Sequence, residues 1–242
     1  MTGELAGFTV AVTVDRRRDE LAALLERQGA RVVVAPTLRL VPLVADGPGN
    51  RWATPADLAP LRRLVFLVAN RMVDAIAFTS APAVDSLLHS AGPDIEAVLA
   101  ALRTDVLAAC VAPVTAAPLR RHRVPVLVPG QTRLGALVRA ITAELPRRAI
   151  DLRVAGHRLT LRGHVALLDD TPHSLAPAPM AVLRALAGTP GRVLTRAALL
   201  HRLPRGADGH TVEMAVARIR ATLRVPGLVQ TVLRRGYRLS VD

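Results

Sequence analysis

Apolar positions in the first 145 residues fall alternately into short runs of strand length and into helical stripes. The runs predict strands at 9–14, 31–35, 73–79, 106–111 and 124–128. Helical spacing predicts helices near 21–28, 55–70, 83–90, 114–121 and 134–145. Continuous apolar strands separated by helices are typical of a parallel sheet covered on both faces. Since crossovers are right-handed, we expect an α/β domain with a single, flavodoxin-like, doubly wound five-stranded sheet.

The pattern changes in the last third of the chain. Short strands are predicted at 158–161, 165–168 and 174–175, and three helices follow: one with Pro179 as its first residue, one at 196–203 and one at 210–223. Thr195 is the predicted N-cap of the second helix. Strands at 229–232 and 237–239 flank a basic turn. This order predicts an α+β winged helix-turn-helix, and we expect domains at 1–148 and 149–242.

The amino-acid composition excludes several kinds of functional site. All 32 basic residues are arginine, so a Walker A loop, a Schiff-base lysine and a phosphoreceiver lysine are excluded. Cys110 is the single cysteine, which excludes an internal disulfide and a cysteine zinc site and favours a reducing compartment. The spacing of the histidines suggests no metal site. We expect no cofactor, no metal and no membrane segment, and a cytoplasmic location.

Charge is concentrated at the back of the chain. Residues 1–146 carry 16 arginines and 13 acidic residues, whereas residues 147–242 carry 16 arginines and 6 acidic residues, a net charge of +10. A nearly neutral front and a basic back favour two modules, the second facing a polyanion. The alternative is a generally basic, solvated surface.

The residues of the first domain exclude two functions, dinucleotide binding and phosphate reception. Val14-Asp15-Arg16-Arg17-Arg18 follows the first strand, where a dinucleotide-binding fold needs glycines. Phe78-Thr79-Ser80 ends the third strand, where a phosphoreceiver needs an aspartate.

Four segments of the first domain resemble uroporphyrinogen-III synthases: Ala35–Pro42, Phe78–Val84, Val111–Ala116 and Pro125–Val128. That family has two flavodoxin-like domains joined by a two-stranded ladder, the second domain being inserted into the first. Here the ladder strand at 38–43 is followed almost at once by a return strand near 51–52, so an inserted domain on the order of 120 residues is missing.

The resemblance also bears on activity. The family binds its linear tetrapyrrole between the two domains, and one wall alone cannot exclude water from the reaction. Asn50 and Ala112 stand where the family has a frequent tyrosine and a motif glycine. We therefore expect no enzyme activity. An anionic ligand would dock at the carboxyl ends of the strands; the candidate residues there are Arg16, Arg17, Thr79, Ser80 and Thr115, for which helix capping or solvation is the alternative.

The last domain resembles the OmpR/PhoB-type DNA-binding domain. The resemblance lies in Pro190–Leu199, in Thr211-Val212-Glu213 with Arg218-Ile219-Arg220, and in Gln230-Thr231-Val232 with Gly236-Tyr237-Arg238. It implies that the third helix enters the major groove and that the wing follows the backbone and minor groove. The predicted DNA-binding residues are His210, Thr211, Met214, Arg218, Arg220, Thr231, Arg234, Arg235 and Tyr237. The alternatives are a core aromatic for Tyr237 and an intradomain ion pair for Arg220.

These observations predict a transcriptional regulator that binds double-stranded DNA as a homodimer or in tandem, with a front domain for sensing or dimerisation. RNA polymerase or another regulator is a further expected partner. The pairing of domains resembles actinobacterial regulators, some tied to nitrate and nitrite assimilation. One alternative is a uroporphyrinogen-III synthase with a DNA-binding appendage; another is a non-functional remnant.

Overall fold

The computed structural model describes residues 3–13, 18–35, 39–42, 50–53, 58–203 and 207–242, with the backbone alone at 18, 39–42 and 50–53. The chain divides into two compact units, Met1–Arg147 and Arg148–Asp242, here called the front unit and the back unit. Arg16 and Arg17 lie outside the described residues.

The front unit alternates strands and helices. Its elements in chain order are β1 (Thr9–Val12), α1 (Arg18–Arg27), β2 (Arg31–Val34), β3 (Arg39–Pro42), β4 (Asn50–Ala53), α2 (Ala59–Ala69), β5 (Ala75–Phe78), α3 (Ala81–Ala91), α4 (Ile95–Thr104), β6 (Leu107–Cys110), α5 (Pro113–Arg121), β7 (Val126–Leu127) and α6 (Leu134–Glu144).

Five of these strands form one parallel sheet in the order β2-β1-β5-β6-β7. Successive side chains point to opposite faces. Ile76 and Phe78 pack in a core with α2, α3, α4 and α5, whereas Ala75 and Ala77 pack in a second core with α1 and α6. Helices cover both faces of the sheet, which confirms the predicted doubly wound α/β fold.

Helix α4 is absent from the sequence prediction. Val98, Leu99 and Leu102 are buried on one side of it, and Ile95 packs against the same core. This spacing of three and four residues is an ordinary helical signal. The Gly92-Pro93 break after α3 separates it from the preceding helix.

A two-stranded antiparallel ladder leaves the front sheet between β2 and α2. Strands β3 and β4 pair from Arg39 with Ala53 to Pro42 with Asn50. Residues 43–49 alone connect the two strands, so this connection is far too short to hold a second domain.

The back unit begins with a four-stranded antiparallel sheet and ends with a hairpin. Its elements are β8 (Ile150–Val154), β9 (His157–Arg162), β10 (Val165–Leu168), β11 (Thr171–Ser174), α7 (Pro177–Ala187), α8 (Arg196–Leu200), α9 (Gly209–Leu223), β12 (Val229–Val232) and β13 (Gly236–Leu239). The first sheet has the order β11-β10-β9-β8, and β12 pairs with β13. One core joins all three helices to both sheets. This arrangement confirms the predicted winged helix.

The back unit differs from the sequence prediction in one missing strand and in the bounds of several elements. Strand β11 spans Thr171–Ser174 rather than 174–175. Strand β8 was not predicted, although Ile150 to Val154 alternates apolar and polar residues and pairs with β9. Helix α7 begins at Pro177 rather than at Pro179, which is its third residue. Proline is tolerated there because the first backbone N–H groups of a helix have no partner within it. Helix α8 ends at Leu200, since its C-cap is His201.

Candidate nucleic-acid interface

Helix α9 is two-sided. Val212, Val216, Ile219 and Leu223 are buried, as their spacing predicts, and Ala215 is buried beside them. The opposite side exposes His210, Met214, Ala217 and Arg218. Met214 is 56% exposed. The exposed side of α9 therefore offers one cation beside an apolar surface.

Asp208 and Thr211 form a reciprocal capping box at the start of α9. The Thr211 N–H donates to Asp208 Oδ1 at 2.8 Å, and the Asp208 N–H donates to Thr211 Oγ1 at 3.1 Å. The Thr211 hydroxyl also donates to Asp208 Oδ1 at 2.7 Å and, with the Thr211 N–H, lowers the pKa of the carboxyl. The hydroxyl of Thr211 is thus engaged in fixing the helix start.

A mostly apolar groove of about 490 Å³ runs along the exposed side of α9, next to the start of α7. The lining residues are Ala176, the N-cap of α7, Ala178 and Pro179 from α7, and Thr211, Met214, Ala215, Ala217, Arg218 and Ala221 from α9. Small side chains line most of it, and Arg218 is its one charged residue. The groove therefore gives Met214 and Arg218 an unobstructed approach from solvent.

The wing is the hairpin of β12 and β13 with its turn, residues 229–239. Leu233, Arg234 and Arg235 are exposed at its tip. The Arg235 N–H donates to the Val232 carbonyl at 2.9 Å, which closes the turn. Arg234 has a φ of 58°, in the left-handed region that glycine favours.

Arg220 joins α9 to the wing. Its Nη2 donates to the Val229 carbonyl at 2.7 Å and to Thr231 Oγ1 at 2.9 Å, and its Nε donates to the same carbonyl at 3.1 Å. The partners are a carbonyl and a hydroxyl, not an acidic side chain. Arg220 and Thr231 are therefore engaged with each other, which holds the helix and the wing in one orientation.

Tyr237 lies in the core, only 5% exposed. Its backbone forms a bridge with Leu194, with N···O distances of 2.8 and 3.0 Å. The Arg196 guanidinium lies over the ring, 5.7 Å from its centre, and Arg196 Nε is 3.1 Å from Glu213 Oε1. Sequence reasoning missed this link between α8, α9 and the wing, since no local spacing connects the three residues.

Polar candidates of the front unit lie at the carboxyl edge of its sheet. Thr79 and Ser80 follow β5 and are half-buried, and Ser80 is the N-cap of α3 without a side-chain capping bond. Thr115 is on the first turn of α5, which follows the neighbouring strand β6, but it is only 2% exposed. The three residues share one edge, and Thr115 presents little surface there.

Other potential chemistry in the described residues is sparse. Burial raises the pKa of the Cys110 thiol to about 12, although Arg120 opposes the shift. No group of three or more His, Cys, Asp or Glu side chains within the described ranges could hold a metal ion. None of the described helices is long and apolar enough to cross a membrane.

Two family models match the chain. Residues 50–139 match uroporphyrinogen-III synthase HemD, and residues 170–239 match the C-terminal domain of transcriptional regulatory proteins. The chain joins a uroporphyrinogen-III synthase-like domain to an OmpR/PhoB-type domain. The OmpR/PhoB-type match contains all nine candidate DNA-binding residues. The uroporphyrinogen-III synthase-like match contains Thr79, Ser80 and Thr115 but begins after Arg16 and Arg17.

Solved structures resemble both domains. The chain is 18% identical to uroporphyrinogen III synthase from Thermus thermophilus, with a TM-score of 0.51 over 58% of this chain and 98% of that one. At this identity the likeness concerns the fold alone. The DNA-binding domain of Klebsiella pneumoniae RstA, solved with the RstA box, is 25% identical over 38% of this chain and 97% of that one, with a TM-score of 0.32. The DNA-binding domain of E. coli CpxR is 23% identical over 38% and 98%, with a TM-score of 0.32. A comparison with curated proteins finds no match.

Proposed function

We propose that the chain is a sequence-specific, DNA-binding transcriptional regulator, with domains at 1–148 and 149–242. In this proposal α9 lies in the major groove, and the wing follows the phosphate backbone into the adjacent minor groove. The observation that carries the proposal is the link from Arg220 to Val229 and Thr231, which holds the exposed side of α9 and the basic wing tip together. The net charge of +10 in residues 147–242 suits a polyanionic partner.

The exposed side chains divide into two roles. Arg218 contacts a base edge or the backbone, and Met214 contacts a thymine methyl group, which is the apolar feature of the major groove. Arg234 and Arg235 bind phosphates. His210 lies at the start of α9, where a backbone contact fits best.

The remaining candidate DNA-binding residues hold the DNA-contacting surface in place. Arg220 and Thr231 hold the wing against α9, and the hydroxyl of Thr211 holds the helix start. Tyr237 anchors the wing through its bridge to Leu194. These four residues set the geometry of the surface that meets the DNA.

We assign the front domain to ligand sensing or dimer contact. Thr79, Ser80 and Thr115 lie at the sheet edge where this fold binds ligands. A dimer or tandem pair would bind two half-sites about 34–36 Å apart on the duplex. RNA polymerase or a second regulator is the proposed protein partner, and the cytoplasm is the proposed location because the target is chromosomal DNA.

The enzyme alternative rests on the synthase match at residues 50–139. Against it, the described residues contain one five-stranded parallel sheet, and residues 43–49 leave no room for a second domain between β3 and β4. An assay of the purified chain with hydroxymethylbilane decides between the two. Robust formation of uroporphyrinogen III would establish the enzyme.

The regulator proposal is tested by selecting bound fragments from the source genome with the purified chain. The Kd for the selected duplex and for a scrambled duplex is then measured by fluorescence anisotropy at several salt concentrations. Arg218→Ala should weaken binding to the selected duplex by about 1–3 kcal/mol and relax its specificity. Arg234→Ala should weaken binding to both duplexes and reduce the salt slope by about one unit.

Arg139→Ala is the matched control, because it removes an exposed arginine from α6 of the front unit. It should leave both duplex affinities unchanged. Unaltered binding by Arg218→Ala and Arg234→Ala would contradict the proposed surface. Failure to enrich any fragment would contradict specific DNA binding itself.

A further inference from the structure

The tip of the wing carries a large apolar side chain that is exposed to solvent. Leu233 is 82% exposed, more than any other large apolar side chain in the described residues. A side chain of this kind loses surface to water when it is inserted into an apolar crevice, which favours binding. An exposed leucine at the end of a projecting hairpin is therefore available for insertion into a partner.

The backbone holds Leu233 at the apex. Val232 pairs with Gly236, and the Arg235 N–H bonds to the Val232 carbonyl, so Leu233 and Arg234 are the two central residues of the turn. Arg234 keeps a left-handed φ of 58° there, which is unfavourable for a residue with a side chain. At its base, the hairpin is fixed through Arg220 and through the bridge from Tyr237 to Leu194.

Charge around Leu233 selects the partner. Arg234 and Arg235 are exposed beside it, and residues 229–239 contain no acidic residue. A partner must therefore offer anionic groups on the outside and an apolar crevice a few ångströms deep. The DNA minor groove fits both requirements, because phosphates border a slot about 6 Å wide, and the space between two base pairs at an unstacked step is an apolar crevice that a side chain can enter from that groove.

We propose that Leu233 enters the minor groove as a wedge and partly unstacks one base step, while Arg234 and Arg235 bind the bordering phosphates. Insertion of an apolar side chain at a base step bends the duplex toward the major groove. Pyrimidine–purine steps unstack most easily, so Leu233 selects such a step without a hydrogen bond to any base. This inference rests on the proposed DNA binding and adds a second, shape-dependent determinant to it.

The test uses the full chain and its selected duplex, with 2-aminopurine placed at the step under the wing and a fluorescence donor and acceptor at the duplex ends. Binding of the wild-type chain should raise the 2-aminopurine emission and shorten the end-to-end distance. Leu233→Ala should abolish both changes and raise Kd about tenfold. Leu233→Met, which conserves the apolar volume, should retain them.

Val114→Ala is the matched control, since it truncates a 72% exposed apolar side chain in the front unit. It should change neither signal. Replacement of the pyrimidine–purine step by a stiff A-tract should weaken the wild-type chain and leave Leu233→Ala unaffected. A urea-unfolding midpoint equal to that of the wild type shows that Leu233→Ala is folded.

Different failures remain distinguishable. If Leu233→Ala distorts and binds the duplex like the wild type while Arg218→Ala loses specificity, the wedge is overturned and the DNA-binding proposal stands. If Leu233→Ala loses only transcription with RNA polymerase, Leu233 docks on a protein and the wedge is again overturned. If the wild-type chain selects no duplex, the proposed function itself fails.

Discussion

Replacement of Gly236 by alanine tests the joint between the wing and the rest of the back unit. A Cβ atom at this position would lie 2.0 Å from the Leu194 carbonyl oxygen and 2.9 Å from the Thr195 Cα. Both are backbone atoms, so no side-chain rotation can relieve the overlap. Gly236 also has a φ of 133°, which is a conformation for glycine.

The expected loss of stability has two parts. Moving the wing away from Leu194 breaks the two hydrogen bonds between Leu194 and Tyr237, worth about 0.5–1.5 kcal/mol each. The unfavourable φ adds about 1–3 kcal/mol. Gly236→Ala should therefore lower the free energy of unfolding by about 2–6 kcal/mol, which lowers the urea midpoint by roughly 1–3 M.

Tyr237 gives a direct assay because it is the only tyrosine in the chain. With 3-fluorotyrosine, the folded and unfolded back unit each give one ¹⁹F resonance, and their ratio is followed in urea. Gly227→Ala is the control: its φ is 78°, and no atom lies within 4 Å of the added Cβ. It should lose only the conformational part, about 1–2 kcal/mol. An equal loss in the two variants would refute the argument from close approach.

Three further predictions concern other parts of the chain. Because the pKa of Asp208 is lowered in the folded state, its contribution to stability should be complete above its ordinary pKa of 3.8 and disappear as pH falls through the lower folded value. The difference in urea midpoint between the wild type and Asp208→Ala should therefore shrink over that pH range. A difference that does not depend on pH would contradict this prediction. Cys110, buried and with a pKa of about 12, should resist iodoacetamide until the front unit unfolds in urea, so rapid labelling of the native chain would contradict its burial. Arg220→Met should destabilise the back unit by about 1–3 kcal/mol, because it removes both donors from the Val229 carbonyl. Exposed Arg218→Met should change stability by less than about 0.5 kcal/mol, and equal effects would contradict the supporting role of Arg220.

Local signals in the sequence predict most of both folds. The stripe from Val212 to Leu223 defines α9, and Thr195 caps α8 by accepting a hydrogen bond from the Ala198 N–H. The omitted elements had signals of the same kind. Helix α4 follows a glycine–proline break, and β8 follows the boundary between the two units. Residues typical of turns and linkers precede both elements, so sequence reasoning assigns their short periodic patterns to loops.

The roles of individual arginines could not be predicted in the same way. Arg218 and Arg220 are two residues apart on one helix and are chemically identical. What distinguishes them is that β12 brings the Val229 carbonyl to Arg220. Arg196 and Glu213 are 17 residues apart in the sequence, and only the packing of α8 on α9 brings them together. Such pairings depend on tertiary contacts that no local pattern encodes.

The ladder of β3 and β4 determines where the front unit can accept a change in chain length. Because Pro42 pairs with Asn50, the two ends of the intervening segment lie side by side, about 5 Å apart. A module with adjacent entry and exit points can be gained or lost there without moving the strands of the host sheet. The hairpin is thus a position where an inserted segment could be accommodated while the parallel sheet keeps its register.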